Sequence, residues 1–177
     1  MLFRSDKIAR AAAKGGHGNA VTIVAVTKTH GPDAVLAALE NGLTNIGENK
    51  VQEAQAKIPM SPSNLIWHFV GHLQRNKVKI AVQLFDMIHS VDSLRLLQTL
   101  DQACDAAGKS MPVLLEVNVS GEGSKYGLKP DEVEGVLEQA KGFSRLDVMG
   151  LMTIPPFTPE AEKARGHFAA LRELRDS

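Results

Sequence analysis

One cysteine, Cys104, occurs in 177 residues, so the chain can form neither an internal disulfide nor a CxxC site. It falls within a helical pattern, where a small buried hydrophobe is its expected role. Aromatics make up only 5% of the chain, and the 20 basic residues balance the 20 acidic ones. A balanced chain without a basic cluster offers no footprint for nucleic acid. No apolar run reaches the length of about 18 residues that a membrane span requires. The opening "MLFRSDKIARAAAKGG" carries charges where a signal peptide would carry its apolar segment. These absences together predict a soluble, cytoplasmic protein with no membrane or nucleic-acid partner. The chain also contains no GxSxG, GxGxxG or GxxxxGK[ST], so nucleophile-elbow, dinucleotide and P-loop chemistries have no support.

What is present is an alternation. Short Val/Ile-rich runs stand at 21–27 (VTIVAVT), 43–47 (LTNIG), 65–71 (LIWHFVG), 85–91 (FDMIHSV), 112–119 (PVLLEVNV) and 146–154 (LDVMGLMTI). Helical spacing fills the gaps. Residues 32–41 begin with Pro at a favoured first-turn position and stop at Gly42. Residues 92–108 place Leu94, Leu97 and Leu100 on one face, with Asp92 or Ser93 as the cap and Gly108 as the stop. Asp131 and Thr158 are the cap candidates of the last two helices, and "DKIARAAAK" predicts a leading helix.

Each interval between strand starts leaves room for one crossover helix, the βαβ pattern of a parallel α/β sheet. No linker or low-complexity segment interrupts it, so one domain over 1–177 is expected. Six βα units suit either a doubly wound sheet or a (β/α)8 TIM-type barrel short of its last quarter. A complete barrel needs roughly 200 to 250 residues.

In both architectures chemistry collects at the carboxyl ends of the strands. Those ends read Lys28; Glu48 and Asn49; His72 and Gln74; Ser90 and Asp92; Asn118 and Ser120; Thr153. Lys28 differs from the others because the run before it is uniformly apolar. An amine held in such surroundings would be desolvated, which lowers its pKa and frees it as a nucleophile toward aldehydes, the chemistry of a Schiff base.

Other candidates are weaker. His68 and His72 straddle a strand end and lack an acidic partner at metal-site spacing. The Gly-rich "GEGSKYG" (121–127) fits a flexible loop better than a phosphate cradle. Trp67 and Met149 are expected in the core, whereas Met152, nearer its strand end, is a candidate to face a ligand.

Six motifs in order, VAVTKT, IGENKVQE, WHFVGHLQRNK, HSVD, EVNVSGEGSKYG and VMGLMTI, resemble the pyridoxal phosphate homeostasis protein family, relatives of the N-terminal barrel of alanine racemase. The resemblance runs from about residue 20 to the end of the chain. It implies that Lys28 carries pyridoxal 5′-phosphate (PLP) as a Schiff base, with Asn49 and Met152 beside the cofactor and Ser90 and Asn118 in the same zone. Members of that family continue for roughly another quarter of a barrel. Their "GMSxD" and "R-x-G" motifs, which supply the phosphate grip and an Arg facing the pyridine nitrogen, do not occur here.

The function implied is a non-catalytic carrier that holds PLP and passes it to apo PLP-enzymes. A PLP-dependent racemase-like enzyme is the runner-up, although it would need a facing acid/base and a second domain. A module too short to bind PLP tightly is the third reading. Two unpaired strand edges would make such a chain self-associate.

Overall fold

The computed structural model describes residues 2–15, 20–123 and 125–177. Ser124 of the Gly-rich stretch lies outside the described residues. After a leading helix, α1 (Leu2–Gly15), six strands alternate with helices: β1 (Ala25–Val26), α2 (Pro32–Glu40), β2 (Asn45–Glu48), α3 (Val51–Lys57), β3 (Ile66–Phe69), α4 (Val78–Leu84), β4 (Met87–Val91), α5 (Leu94–Ala107), β5 (Met111–Glu116), α6 (Val133–Ala140), β6 (Leu146–Met152) and α7 (Ala161–Asp176).

All six strands form one sheet in sequence order β1-β2-β3-β4-β5-β6, and every pairing is parallel. A doubly wound sheet reverses its strand order at a switch point. Here the order never reverses, so the chain forms six successive units of the (β/α)8 barrel type. Among the described residues, β1 and β6 each pair on one side only.

Strand register separates two faces, because side chains alternate along each strand. Ile46 aligns with Trp67, Phe69 with Ile88, and Ile88 with Val113. These residues face the helices and are buried, together with Leu96, Leu97, Leu100 and Cys104 of α5. Ser93 caps α5 by accepting the Leu96 N–H at 3.3 Å, and Gly108 ends it at φ 62, a left-handed angle that glycine adopts without penalty.

Several local expectations do not hold. The apolar run 21–27 forms only a two-residue strand, and its Val21 and Val26 are 57% and 48% exposed, β1 having one partner strand among the described residues. Met149 is 60% exposed rather than in the core. It stands on the inner face of β6, beside a register shift between β5 and β6. Asp131 does not cap α6: the chain enters through a 3-10 turn, Pro130–Glu132, in which Glu132 Oε2 accepts the Lys129 N–H at 2.9 Å. Thr158 sits before α7, and its hydroxyl accepts the Glu160 N–H at 3.2 Å, leaving Glu160 as the cap residue.

Candidate functional site

β1 delivers the chain to Thr27, whose N–H donates to Gly47 O at 3.0 Å. Thr27 Oγ1 donates to Glu48 Oε1 at 2.7 Å. Lys57 Nζ, reaching in from α3, donates to Thr27 O at 2.9 Å and to Glu48 Oε1. Lys57 and Glu48 are only 5% and 0% exposed, so each ion depends on the other for compensation.

Two residues on, the Thr29 N–H donates to Glu53 Oε2 at 2.9 Å. That contact holds the Glu53 carboxyl below the usual carboxylate range. Thr29 is the one non-glycine residue with positive φ, at 66, among the described residues. A β-branched side chain there is a backbone outlier, of a kind that costs on the order of 1–3 kcal/mol.

Lys28 stands between these two anchored threonines. It is exposed, not enclosed in apolar surroundings as its sequence context suggested, because the strand before it is short and open on one side. The polar groups around it (Thr27, Glu48, Lys57, Lys50 and Glu53) engage mainly one another, and among the described residues the Lys28 amine has no hydrogen-bond or ion-pair partner.

Asn49 follows β2 directly and is half-buried. Its Oδ1 is buried without a hydrogen-bond partner among the described residues. An orphaned acceptor of this kind is costly in the absence of a donor. Gly71 crosses so close that a Cβ there would lie 2.2 Å from Asn49 O, so only glycine permits the approach. Ser90 is 1% exposed, and its hydroxyl donates to Gly71 O. That bond ties down the segment after β3.

Asn118 is likewise occupied. Its Nδ2 donates to Glu122 O at 2.8 Å, and its Oδ1 accepts from Ser120 Oγ at 2.9 Å and Gly121 N–H at 3.1 Å. The Asn118 amide therefore shapes the loop after β5. Met152 closes β6, half-buried and in register with Glu116. Lys28, Asn49 and Met152 thus share the carboxyl edge with polar or apolar contacts to spare, whereas Ser90 and Asn118 are committed to the scaffold.

Further polar groups line this edge and the inner face below it. His72 Nδ1 lies 3.1 Å from Asp92 Oδ2, and its ring stacks on Tyr126 with centroids 3.7 Å apart. Burial, with the Asp92 charge adding to it, raises the pKa of Glu116. A cleft of about 170 Å³ between Glu116, Asn118, Lys125, Tyr126 and Ile154 is smaller than the roughly 300 Å³ at which ligand pockets begin. Deeper, His68 Nδ1 meets His89 Nε2 at 2.8 Å, and His68 Nε2 meets Asn45 Oδ1 at 2.9 Å. Burial, and then the neighbouring His68 charge, hold the His89 pKa down at about 4.

Sequence reasoning missed the anchoring group of Thr29, Glu53 and Lys57. Its only trace in the sequence is the i, i+4 spacing of Glu53 and Lys57, which puts both on one face of α3.

Comparison with known proteins defines first the class. Residues 6–177 match the alanine racemase N-terminal domain family, and an alanine racemase of Clostridium difficile superposes with a TM-score of 0.69 at 15% identity over 88% of this chain and 43% of that one, a likeness of fold alone. Nearer relatives are the pyridoxal phosphate homeostasis proteins of Pseudomonas aeruginosa, 41% identical over 95% of this chain and 74% of that protein, and of Aquifex aeolicus, 36% identical over 97% and 76%. PipY of Synechococcus elongatus, solved with PLP bound, matches with a TM-score of 0.78 and 32% identity, covering 95% of this chain and 79% of that one. The chain belongs to the pyridoxal phosphate homeostasis protein family. Among the described residues no helix is long and apolar enough to cross a membrane.

Proposed function

We propose that this chain is a non-catalytic PLP-binding protein that works as one domain in the cytoplasm, holds the cofactor on Lys28 and yields it to apo PLP-enzymes. The observation that carries the reading is an exposed lysine amine at the carboxyl edge of the barrel sheet, with Asn49 Oδ1 at the end of the adjacent strand, neither having a partner among the described residues. Family membership and the PLP-bound PipY structure support it.

PLP, when bound, supplies an aldehyde carbon with which a lysine amine condenses as one water leaves. The residues at this edge fit that group in part. Lys28 would hold it covalently, Asn49 Oδ1 offers an acceptor to a donor on it, and Met152 offers an apolar contact. Ser90 and Asn118 support the surrounding segments through their own hydrogen bonds. His72, stacked on Tyr126, and Glu116 stand at the ends of β3 and β5, and among the described residues neither is paired with Lys28, so neither is built as an acid/base partner to that amine.

Borohydride fixation of the PLP-loaded protein, followed by peptide mapping, should place the label on Lys28. A label on Lys77 or Lys125 with Lys28 unmodified ends the reading. Affinity is a second check. The 177-residue chain lacks the GMSxD and R-x-G motifs, and each charge-assisted hydrogen bond is worth roughly 1.5 to 3 kcal/mol. Its dissociation constant should therefore exceed that of a relative containing both motifs by orders of magnitude. Tight stoichiometric binding would show that the phosphate is held by residues described here.

A further inference from the structure

The turn that presents Lys28 is held from both sides by one helix. Upstream, Thr27 O accepts from Lys57 Nζ at 2.9 Å, and Thr27 Oγ1 and Lys57 Nζ converge on Glu48 Oε1. Downstream, the Thr29 N–H donates to Glu53 Oε2 at 2.9 Å. Glu53 and Lys57 are one helical turn apart on α3, so a single rigid element grips the residue before Lys28 and the residue after it. The grip lies where the backbone most needs one. Thr29 has φ 66, a conformation that a β-branched residue leaves unless something holds it. β1 itself is two residues long and paired on one side, so the strand cannot fix the turn alone.

We propose that α3 is a clamp on the Lys28 turn, with Glu53 and Lys57, aided by Glu48, acting as positioning residues that set where the Lys28 amine stands among the strand ends. None of the three touches the cofactor in this scheme. They act through the backbone at Thr27 and Thr29. A nucleophile displaced by even a small distance reacts far more slowly, so the clamp governs how fast and how selectively Lys28 captures an aldehyde. The buried Lys57–Glu48 pair fixes the upstream anchor, and Glu53 offsets the left-handed conformation at the downstream one. This inference rests on Lys28 being the attachment point, and its test separates the two.

The full chain is incubated with PLP, quenched with borohydride over a time course and mapped by mass spectrometry. Labelling of Lys28 is read relative to Lys141, whose side chain is 73% exposed and which belongs to α6's far end. In the wild type Lys28 should label preferentially. Glu53→Ala should lower the Lys28-to-Lys141 ratio about tenfold while the melting temperature moves little, because Glu53 lies at the surface. Glu53→Gln, whose amide oxygen can still accept the Thr29 N–H, should restore most of the ratio. Thr29→Gly should keep it, since glycine retains the N–H and accepts positive φ. Glu48→Gln with Lys57→Met, which removes both charges together, should lower it as Glu53→Ala does. A wild type that labels Lys28 no faster than Lys141 overturns the assignment of Lys28. A wild type that prefers Lys28, with Glu53→Ala matching it, overturns the clamp alone. A ratio that falls equally in Glu53→Ala and Glu53→Gln also overturns the clamp, because the retained acceptor should have restored it.

Discussion

On the helix side of the sheet, Ile46, Ile88, Val113 and Leu115 are 0% exposed, whereas on its other side Val26, Ile66 and Met149 are 48%, 44% and 60% exposed. Within one strand, β3, Ile66 is 44% exposed while Trp67 and Phe69 are 4% and 1% exposed, so strand propensity does not account for the contrast. The helix layer buries one face of the central strands, and Ala25, Leu146 and Val148 on the edge strands are half-buried. The opposite face, which a closed barrel fills with its own side chains, is covered only near the central strands, where His68 and Glu116 are 6% and 7% exposed. Stability therefore resides on the helix side, and the inner face is the part free to meet a ligand or another chain.

The largest effect should come from the buried Lys57–Glu48 ion pair on the helix side. Lys57→Met strands the Glu48 carboxylate, already with one unpartnered buried oxygen, and should cost about 3–5 kcal/mol in chemical denaturation. Adding Glu48→Gln should recover much of that loss, since neutral groups leave no buried charge. If the single and double variants are equally unstable, the pair is not the reason.

A plain cavity comes next. Ile88→Ala should cost about 2–5 kcal/mol, and the same truncation on the inner face, Met149→Ala, should change stability by no more than about 0.5 kcal/mol. Similar values for the two would erase the contrast between the faces.

pH tests the polar part of the inner face. His89 has its pKa lowered from 6.5 to about 4, and that of His68 is lowered too, by burial that outweighs the nearby Asp86 charge. The unfolded chain therefore takes up protons first as pH falls. Stability from this pair should be complete above about 6.5, decline toward pH 4 and level off below it. His89→Gln should flatten the decline. An unchanged slope would place the titration elsewhere.

Association is a gentler readout. β1 and β6 leave backbone groups unpaired on their outer sides among the described residues, and Val26 of β1 and Met149 of β6 are exposed and uncharged. Light scattering should show the 177-residue chain associating at high concentration, and Val26→Lys with Met149→Lys should suppress it. A monomer at all concentrations in the parent chain would mean that the open face is protected some other way.

Much of this was legible in residue order. The six apolar runs, their intervals and the Ser93 and Gly108 boundaries of α5 are local signals, decided within a few residues by hydrogen bonding and rotamer freedom. The motifs that carry the family resemblance are legible for the same reason, and they put Lys28, Asn49 and Met152 at or just beyond strand ends. Burial is not local. The run at 21–27 looks like a core strand until its missing neighbour leaves it two residues of pairing, and Met149 looks like core until its face proves open. The resemblance puts Ser90 and Asn118 in the cofactor zone, and only the fold shows that their polar atoms also hold Gly71 O and the 118–122 loop. Lys57, an apparently ordinary helix lysine, is buried because β1, β2 and α3 converge around Glu48. Sequence alone determined which segments become strands and helices and which lysine ends the first strand, since those depend on pattern within a segment. Only the tertiary structure decided which faces are covered and what holds Lys28 in place, because these depend on partners distant in the chain, as Thr27 does on Glu48, Thr29 on Glu53 and Ser90 on Gly71.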